Sequence, residues 1–262
     1  MADRYGAWAV VTGGSSGIGR AFAHGLAAEG MHCLLVSDEP DELRTACGEI
    51  TARHGVEAEP LAVDLATVDA AAAVVDAVGD RDLGVLVNNA SFGRVAPFES
   101  VDLETYRRML AVNVDAYLAL SHLLLPAMRA RGRGALVFVS SLNALVPGIG
   151  YGTVYSATKA FETSLACGLW QETLGTGVDV LLVVPGPTRT RFQEKAGTKV
   201  ASWAMDPEEV VDGALPCLGR ELVHVPGQVN QLLVASFERL TMDRRVELAS
   251  RLLYAALAEG TL

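Results

Sequence analysis

The chain has 262 residues, half of them apolar and 20% charged, with a formal net charge of −10. That length and composition predict one globular domain, residues 1–262, with a large core, and exclude an intrinsically disordered chain. The negative balance argues against nucleic acid or an anionic membrane as partner.

Cys33, Cys47, Cys167 and Cys217 are scattered and form no C-x-x-C pair. Free thiols in a reducing compartment, a cytoplasmic location and no metal site are therefore expected. The start, MADRYGAWAVV, lacks a cationic segment followed by a long apolar run, so no secretory signal is expected. No stretch reaches about 18 uninterrupted apolar residues, and no membrane span is expected either.

Residues 7–12, AWAVVT, are apolar without alternation, the pattern of a strand covered on both faces. Gly13-Gly14-Ser15-Ser16-Gly17-Ile18-Gly19 follows, then the helical pattern RAFAHGLAAEG. Strand, glycine turn and helix set backbone N–H groups and a helix N-terminus beneath a pyrophosphate. Residues 33–37 predict a second strand, closed by Asp38. A carboxylate there accepts from ribose hydroxyls and repels a 2′-phosphate; no Arg or Lys follows until Arg44, so NAD is expected over NADP. A helix at 41–54 leads to a strand at 57–63 that ends at Asp64. That acid has two readings: an acceptor for an adenine amine, or a cap near Ala66 and Thr67.

Residues 68–78 predict a helix, and 84–88 a strand ending in Asn88-Asn89-Ala90. A long amphipathic helix over 102–129 carries Asn113 among apolar neighbours. A buried amide needs partners, as a satisfied core residue or as an organiser of backbone near the site.

A fifth strand at 135–140 and a helix reaching residue 174 hold the stretch richest in chemistry. Tyr155 and Lys159 are four apart on that helix and share one face. A free phenol has a pKa of about 10, and a neighbouring ammonium favours the phenolate. Ser140 or Ser141, at the end of the preceding strand, is placed to hold a carbonyl or alcohol oxygen against the tyrosine. Such a set moves a proton on and off a C–O oxygen. No other of the six tyrosines has a lysine four residues on.

The strand at 178–184 runs into Pro185-Gly186-Pro187-Thr188-Arg189-Thr190-Arg191-Phe192. Residues 186–205 show no period and read as a substrate loop. Arg189 and Arg191 there read as solvated cations or as an anion site. A helix at 207–218 opens with Asp206-Pro207-Glu208-Glu209, a cap with proline at the first helical position. A short strand lies at 222–225. Residues 227–262 read as a C-terminal helical extension. Its Val246, Ala249, Leu252, Leu253, Ala256 and Leu257 stand at helical spacing, as core or subunit contact. The alternation of strands and helices predicts an α/β, doubly wound parallel sheet with helices on both faces.

Four motifs in order, TGGSSGIG at 12–19, NNA at 88–90, YSATK at 155–159 and PGPTRT at 185–190, make the chain resemble the short-chain dehydrogenases/reductases. The resemblance runs from Thr12 to about Pro226 and implies a single Rossmann domain with a seven-stranded sheet, in homodimers or homotetramers. It implies a catalytic set of Asn113, Ser141, Tyr155 and Lys159. It implies cofactor contacts from Gly13, Ser15, Ser16, Gly17, Ile18, Gly19, Asp38, Asp64, Leu65, Asn89, Ala90, Tyr155, Lys159, Pro185, Gly186, Thr188 and Thr190. Three departures stand out. NNAG is NNAS here, with Ser91 for glycine. The serine lies one residue further from the tyrosine than is common, and Ser140 is kept as a lesser candidate. Asp38 falls one place beyond the acid of most NAD-preferring members.

The function expected is hydride exchange between NAD(H) and a secondary alcohol or ketone. Substrate contacts are expected from Ser141, Asn143, Tyr151, Tyr155, Phe192 and Trp203. Leu142, Leu145, Val146 and Met205 add apolar bodies to the same loops, so an apolar steroid-like, aromatic or acyl substrate is expected. NADP-dependent 3-oxoacyl or ketone reduction, and a non-catalytic dinucleotide sensor, are the alternatives.

Overall fold

The strands form where short apolar runs alternate between two covering layers. In the computed structural model, which describes residues 1–145, 151–197 and 199–258, they are β1 (Trp8–Thr12), β2 (His32–Ser37), β3 (Ala58–Ala62), β4 (Leu83–Asn88), β5 (Gly134–Val139), β6 (Val178–Val183) and β7 (Val223–His224). All pair in parallel, in the order β3-β2-β1-β4-β5-β6-β7. Successive side chains point to opposite faces of the sheet. Thus Ala9, Val11, Ala135, Val137 and Val139 enter one core layer, while Val10, Leu136 and Phe138 enter the other. β3 and β7 close the two edges, which explains why β3 is only partly buried.

Helices α1 (Gly17–Ala28) and α2 (Pro40–His54) cover one face, and α3 (Ala70–Val78) and α4 (Leu103–Arg131) the other. Helix α4 is long and apolar enough to cross a membrane by length and composition. Half of its most apolar window is buried inside the fold, as for a core helix. Its middle, Ala111–Asp115, is a π-helical segment, a local widening common at functional sites. Helix α5 (Thr153–Thr173) carries Tyr155 and Lys159. Helices α6 (Pro207–Ala214), α7 (Gln228–Glu238) and α8 (Met242–Ala258) complete the C-terminal part.

The expected elements all form, with short additions that include helical turns at Ala2–Tyr5, Phe98–Ser100 and Leu142–Leu145. The 186–205 segment, read as irregular, contains a short helix at Phe192–Ala196. Helix α7 falls within the expected helical extension at 227–262, but its own bounds were not read, because its polar Gln228, Asn230 and Gln231 mask its apolar spacing. All four cysteines are free thiols. Among the described residues, Cys217, Glu221 and His224 bring metal-ligating atoms within 4.8 Å of one another. Burial holds the Cys217 thiol above its ordinary pKa, and it donates to Gly213 O at 3.4 Å, as a protonated thiol does.

Candidate active site

The order of strands reverses between β1 and β4, and a cleft of about 1230 Å³ opens there at the C-terminal sheet edge. Ligand pockets commonly measure about 300–1,000 Å³, so this cleft has room for two ligands side by side.

One half is built by the glycine turn. Gly13 has φ +65°, and a Cβ on it would stand 2.7 Å from Asn89 Nδ2. Gly19 is closer still: a Cβ would lie 2.2 Å from Gly13 O. Only hydrogen fits at either place. Ser16 precedes α1 without capping it through its side chain, so the first-turn N–H groups stay open where Gly17 and Ile18 line the cleft. Thr12 fastens this turn to β4. Its Oγ1 donates to Val87 O and accepts from Asn89 N and Ala90 N, at 2.9–3.1 Å. Asn89 Nδ2 donates back to Thr12 O at 2.8 Å.

At the far end of this half, Asp38 is exposed and lies 3.6 Å from the Arg108 guanidinium. Asp64 does not cap a helix, since α3 starts at Ala70 behind Asp69; its Oδ1 accepts from Ala66 N within the preceding turn, and its Oδ2 pairs with Arg108 at 2.7 Å. Burial alone would raise the Asp64 carboxyl, and the Arg108 hydrogen bond and charge outweigh it and pull it down. Leu65 is nearly buried and lines the cleft beside it. Ser15 Oγ is hydrogen-bonded to Ser37 Oγ at 3.1 Å and to Glu39 at 3.0 Å.

Glu39 was missed by the sequence reading. It also receives Lys195 at 2.7 Å and Arg191 at 2.9 Å. Burial would raise its carboxyl, but the Lys195 and Ser15 hydrogen bonds and the two cations hold it at about 2. Arg191 pairs with Glu42 as well, and Arg189 with Asp206 at 2.5 Å. The two arginines, read as solvated cations or an anion site, are thus structural ties that fasten the 186–205 segment. Pro185, Gly186, Thr188 and Thr190 line the cleft on that segment. A Cβ on Gly17 would meet Thr190 Cγ2 at 2.9 Å, so the segment closes directly over the glycine turn.

The other half holds the reacting groups. The two candidate serines separate clearly. Ser140 is buried, and its Oγ bonds Lys159 O and Thr163 Oγ1, at 2.9 and 3.0 Å. Ser141 lines the cleft, accepts from Asn143 N at 3.2 Å and hydrogen-bonds the Tyr155 hydroxyl. Asn113 is fully buried in the π segment. Its Nδ2 donates to Phe92 O at 2.9 Å and to Thr158 Oγ1 at 3.0 Å, while Oδ1 accepts from Phe92 N. Asn113 therefore organises the backbone after the NNA motif and touches α5 beside Tyr155. Ser91 needs no glycine geometry: among the described non-glycine residues only Tyr151 has positive φ, at +62°.

Lys159 departs most from expectation. It is 1% exposed, and its Nζ donates to Val139 O and to Glu162 Oε2, each at 3.0 Å. Glu162 is itself 0% exposed. Nζ lies 5.6 Å from the Tyr155 ring centroid and 5.7 Å from that of Tyr117. Burial lowers the Lys159 pKa against the pull of Glu162, and pushes Glu162 up to about 8 against the pull of Lys159. Tyr155 is held well above the usual phenol value, first by burial and then by the Glu162 charge; the Ser141 hydrogen bond acts the other way. The acidifying lysine read from the sequence is thus answered by a carboxylate on its own helix.

Around this centre stand Leu142, Asn143, Phe192 and Trp203. The Phe192 and Tyr155 rings meet at 5.1 Å over Gly93, where a Cβ would come within 3.0 Å of both. Tyr151 does not join the cleft wall; its carbonyl accepts from Ala96 N at 2.9 Å. Leu145 and Met205 pack on the two core layers instead, and Val146 lies outside the described residues. The sequence reading missed Phe92 and Val95, and on α7 Val229, Leu233 and Phe237. The last three recur every fourth residue, the signal that would have found them.

Three kinds of likeness to known proteins bear on this geometry. A family model described as short chain dehydrogenase matches residues 7–201. The 7beta-hydroxysteroid dehydrogenase of Clostridium sardiniense is 31% identical over 245 residues, covering 92% of this chain and 93% of that one. The very-long-chain 3-oxoacyl-CoA reductase of Bos taurus is 33% identical over 219 residues, 82% of this chain and 69% of that one. A short-chain dehydrogenase of Sphingobium yanoikuyae, solved with NADPH, superposes with a TM-score of 0.80 at 30% identity, covering 89% of this chain and 96% of that one.

Proposed function

The chain belongs to the short-chain dehydrogenase family and is an NAD(P)-dependent oxidoreductase, and from that premise we propose that it interconverts a bulky apolar secondary alcohol and its ketone with NAD(H). The observation that carries the substrate class is the wall around Tyr155. Phe92, Leu142, Phe192, Trp203, Leu233 and Phe237 give it large apolar surfaces, with Ser141 and Tyr155 as the polar groups facing the reacting oxygen. The steroid and long-chain acyl substrates in the names of the two relatives are of that class.

The glycine turn and the open N-terminus of α1 fit a dinucleotide, because a Cβ at Gly13 or Gly19 would fill the cradle. Gly13, Ser16, Gly17, Ile18, Asn89, Ala90 and Thr190 would hold it, with Asp38 at the adenosine ribose. Bound there, the nicotinamide supplies the hydride acceptor or donor. Ser141 orients the substrate oxygen by hydrogen bond. Tyr155 takes the alcohol proton in oxidation and returns it in reduction, while the apolar wall keeps bulk water out.

Asp38 favours NAD over NADP by repelling a 2′-phosphate. Titration with NADH and NADPH is expected to give at least about tenfold tighter NADH binding, and Asp38→Arg is expected to reverse the order. Equal affinities in the unaltered protein would point to Arg108 as a phosphate partner and to NADP instead. In a substrate panel, turnover of hydroxysteroids and of long-chain 3-oxoacyl thioesters is expected, in that order, because the wall is broad and aromatic. Turnover confined to small polar sugars would overturn the apolar assignment. The free thiols support a cytoplasmic location. Exposed Leu118 and Leu123 on α4 and Trp170 on α5 support a homodimer or homotetramer.

A further inference from the structure

Glu162 is a buried charge that the reaction as described leaves unused. It sits on α5 three residues after Lys159 with no exposed surface. Its Oε2 accepts from Lys159 Nζ, and its Oε1 has no hydrogen-bond partner among the described residues. The ionisable groups around it are Lys159 and Tyr155 on its own helix and Tyr117 on α4; β5 adds the Val139 carbonyl. Burying an ionised carboxylate is costly, and this one gains a single strong contact in return. A structural ion pair has no need to involve the lysine four residues from the reacting tyrosine. The pair also fixes where that lysine can reach, because Nζ is held between Glu162 and Val139 O.

We propose that Glu162 is a positioning residue for the reaction: it anchors Lys159 Nζ on Val139 O and cancels its charge, and so sets how readily Tyr155 gives up its proton. Glu162 acts through Lys159 and through its own field. When Glu162 is ionised, the Lys159 ammonium is neutralised and the Tyr155 phenol holds its proton. When Glu162 is protonated or replaced by a neutral group, its field no longer opposes ionisation of Tyr155 and the phenolate is favoured. The neighbouring Tyr117 hydroxyl, buried and also under the Glu162 field, feels the same change. This inference rests on Tyr155 and Lys159 as the reacting pair, and not on the identity of the substrate.

The test is Glu162→Gln, which keeps the shape and one acceptor for Nζ. Phenolate absorbance is titrated in the protein without cofactor. The Tyr155 contribution is isolated by subtracting the matching Tyr155→Phe protein in each background. The expected result is a Tyr155 midpoint at least one pH unit lower in the variant, about tenfold or more in ionisation constant. The alkaline shift in the pH profile of kcat for alcohol oxidation is expected to move in the same direction, towards acid. Midpoints that coincide within about 0.3 pH unit, or that rise, overturn the proposal. Glu162→Met is the second variant should Glu162→Gln fail to fold, with the same expected direction. Failure of the enzymatic reading shows up separately, as full turnover in Tyr155→Phe, while the absorbance titration still reports on Glu162.

Discussion

Tyr155→Phe is expected to lower kcat by about a thousandfold while leaving NADH affinity within a few-fold. The change removes one oxygen. The ring keeps its packing against Phe192 and over Gly93, so the shape of the cleft is preserved. What goes is the hydroxyl that meets Ser141 and carries the proton. Positioned general acid–base groups contribute about 10²–10⁴ in rate, and no second proton carrier stands in that position. Ser140 is turned into α5 and Asn113 is engaged with Phe92 and Thr158. Single-turnover kinetics beside a fluorescence titration of NADH would check it. Turnover within about tenfold of the unaltered protein would mean the proton leaves by another route.

The parts of this molecule legible in the sequence are those set by local pattern. Seven strands could be read because most are short apolar runs bounded by Gly, Asp, Asn, Ser or Pro. Tyr155 and Lys159 could be read because one turn of helix puts them on one face. The glycine turn could be read from its place between a strand and a helix. What stayed hidden depends on packing from elsewhere in the chain. In YSATKAFETS, Glu162 looks like an ordinary i,i+3 partner for Lys159 on a wet face. Its burial comes from the approach of β5 and α4, which no local spacing announces. Asp64 reads locally as an adenine acceptor or a cap, and only the position of Arg108, forty-four residues on, makes it an ion-pair partner. Glu39 and its ties to Arg191 and Lys195 span about 150 residues of sequence. The choice between Ser140 and Ser141 turned on which hydroxyl the α5 backbone captures.

Lys159→Met is expected to be the most destabilising single change at the site, approaching about 3–5 kcal/mol well above pH 8, in addition to impairing turnover. The methionine fills most of the lysine stem, so the cost is not a cavity. It comes from Glu162, left fully buried without its counter-charge. The pH dependence identifies the cause. Burial already places the folded-state Glu162 pKa at about 8, above its ordinary value, and loss of Lys159 raises it further. An acid with a raised folded-state pKa binds more protons folded than unfolded. Below about pH 8 both the unaltered protein and the variant hold Glu162 protonated when folded, so this deficit is small there. It opens as pH rises through 8, where the unaltered protein ionises Glu162 beside Lys159 and the variant keeps it protonated. Urea unfolding at about pH 6 and about pH 10 separates the two regimes. Adding Glu162→Met is expected to recover most of the alkaline deficit, since an apolar pair of similar volume replaces a broken ionic one. A deficit equal at both pH values, or one deepened by the second substitution, would show that Lys159 stabilises the fold by packing its stem rather than by compensating Glu162. In that case the Lys159–Glu162 pair would be a bystander to Tyr155 as well, because compensation of that buried charge is what links its stability to its chemistry.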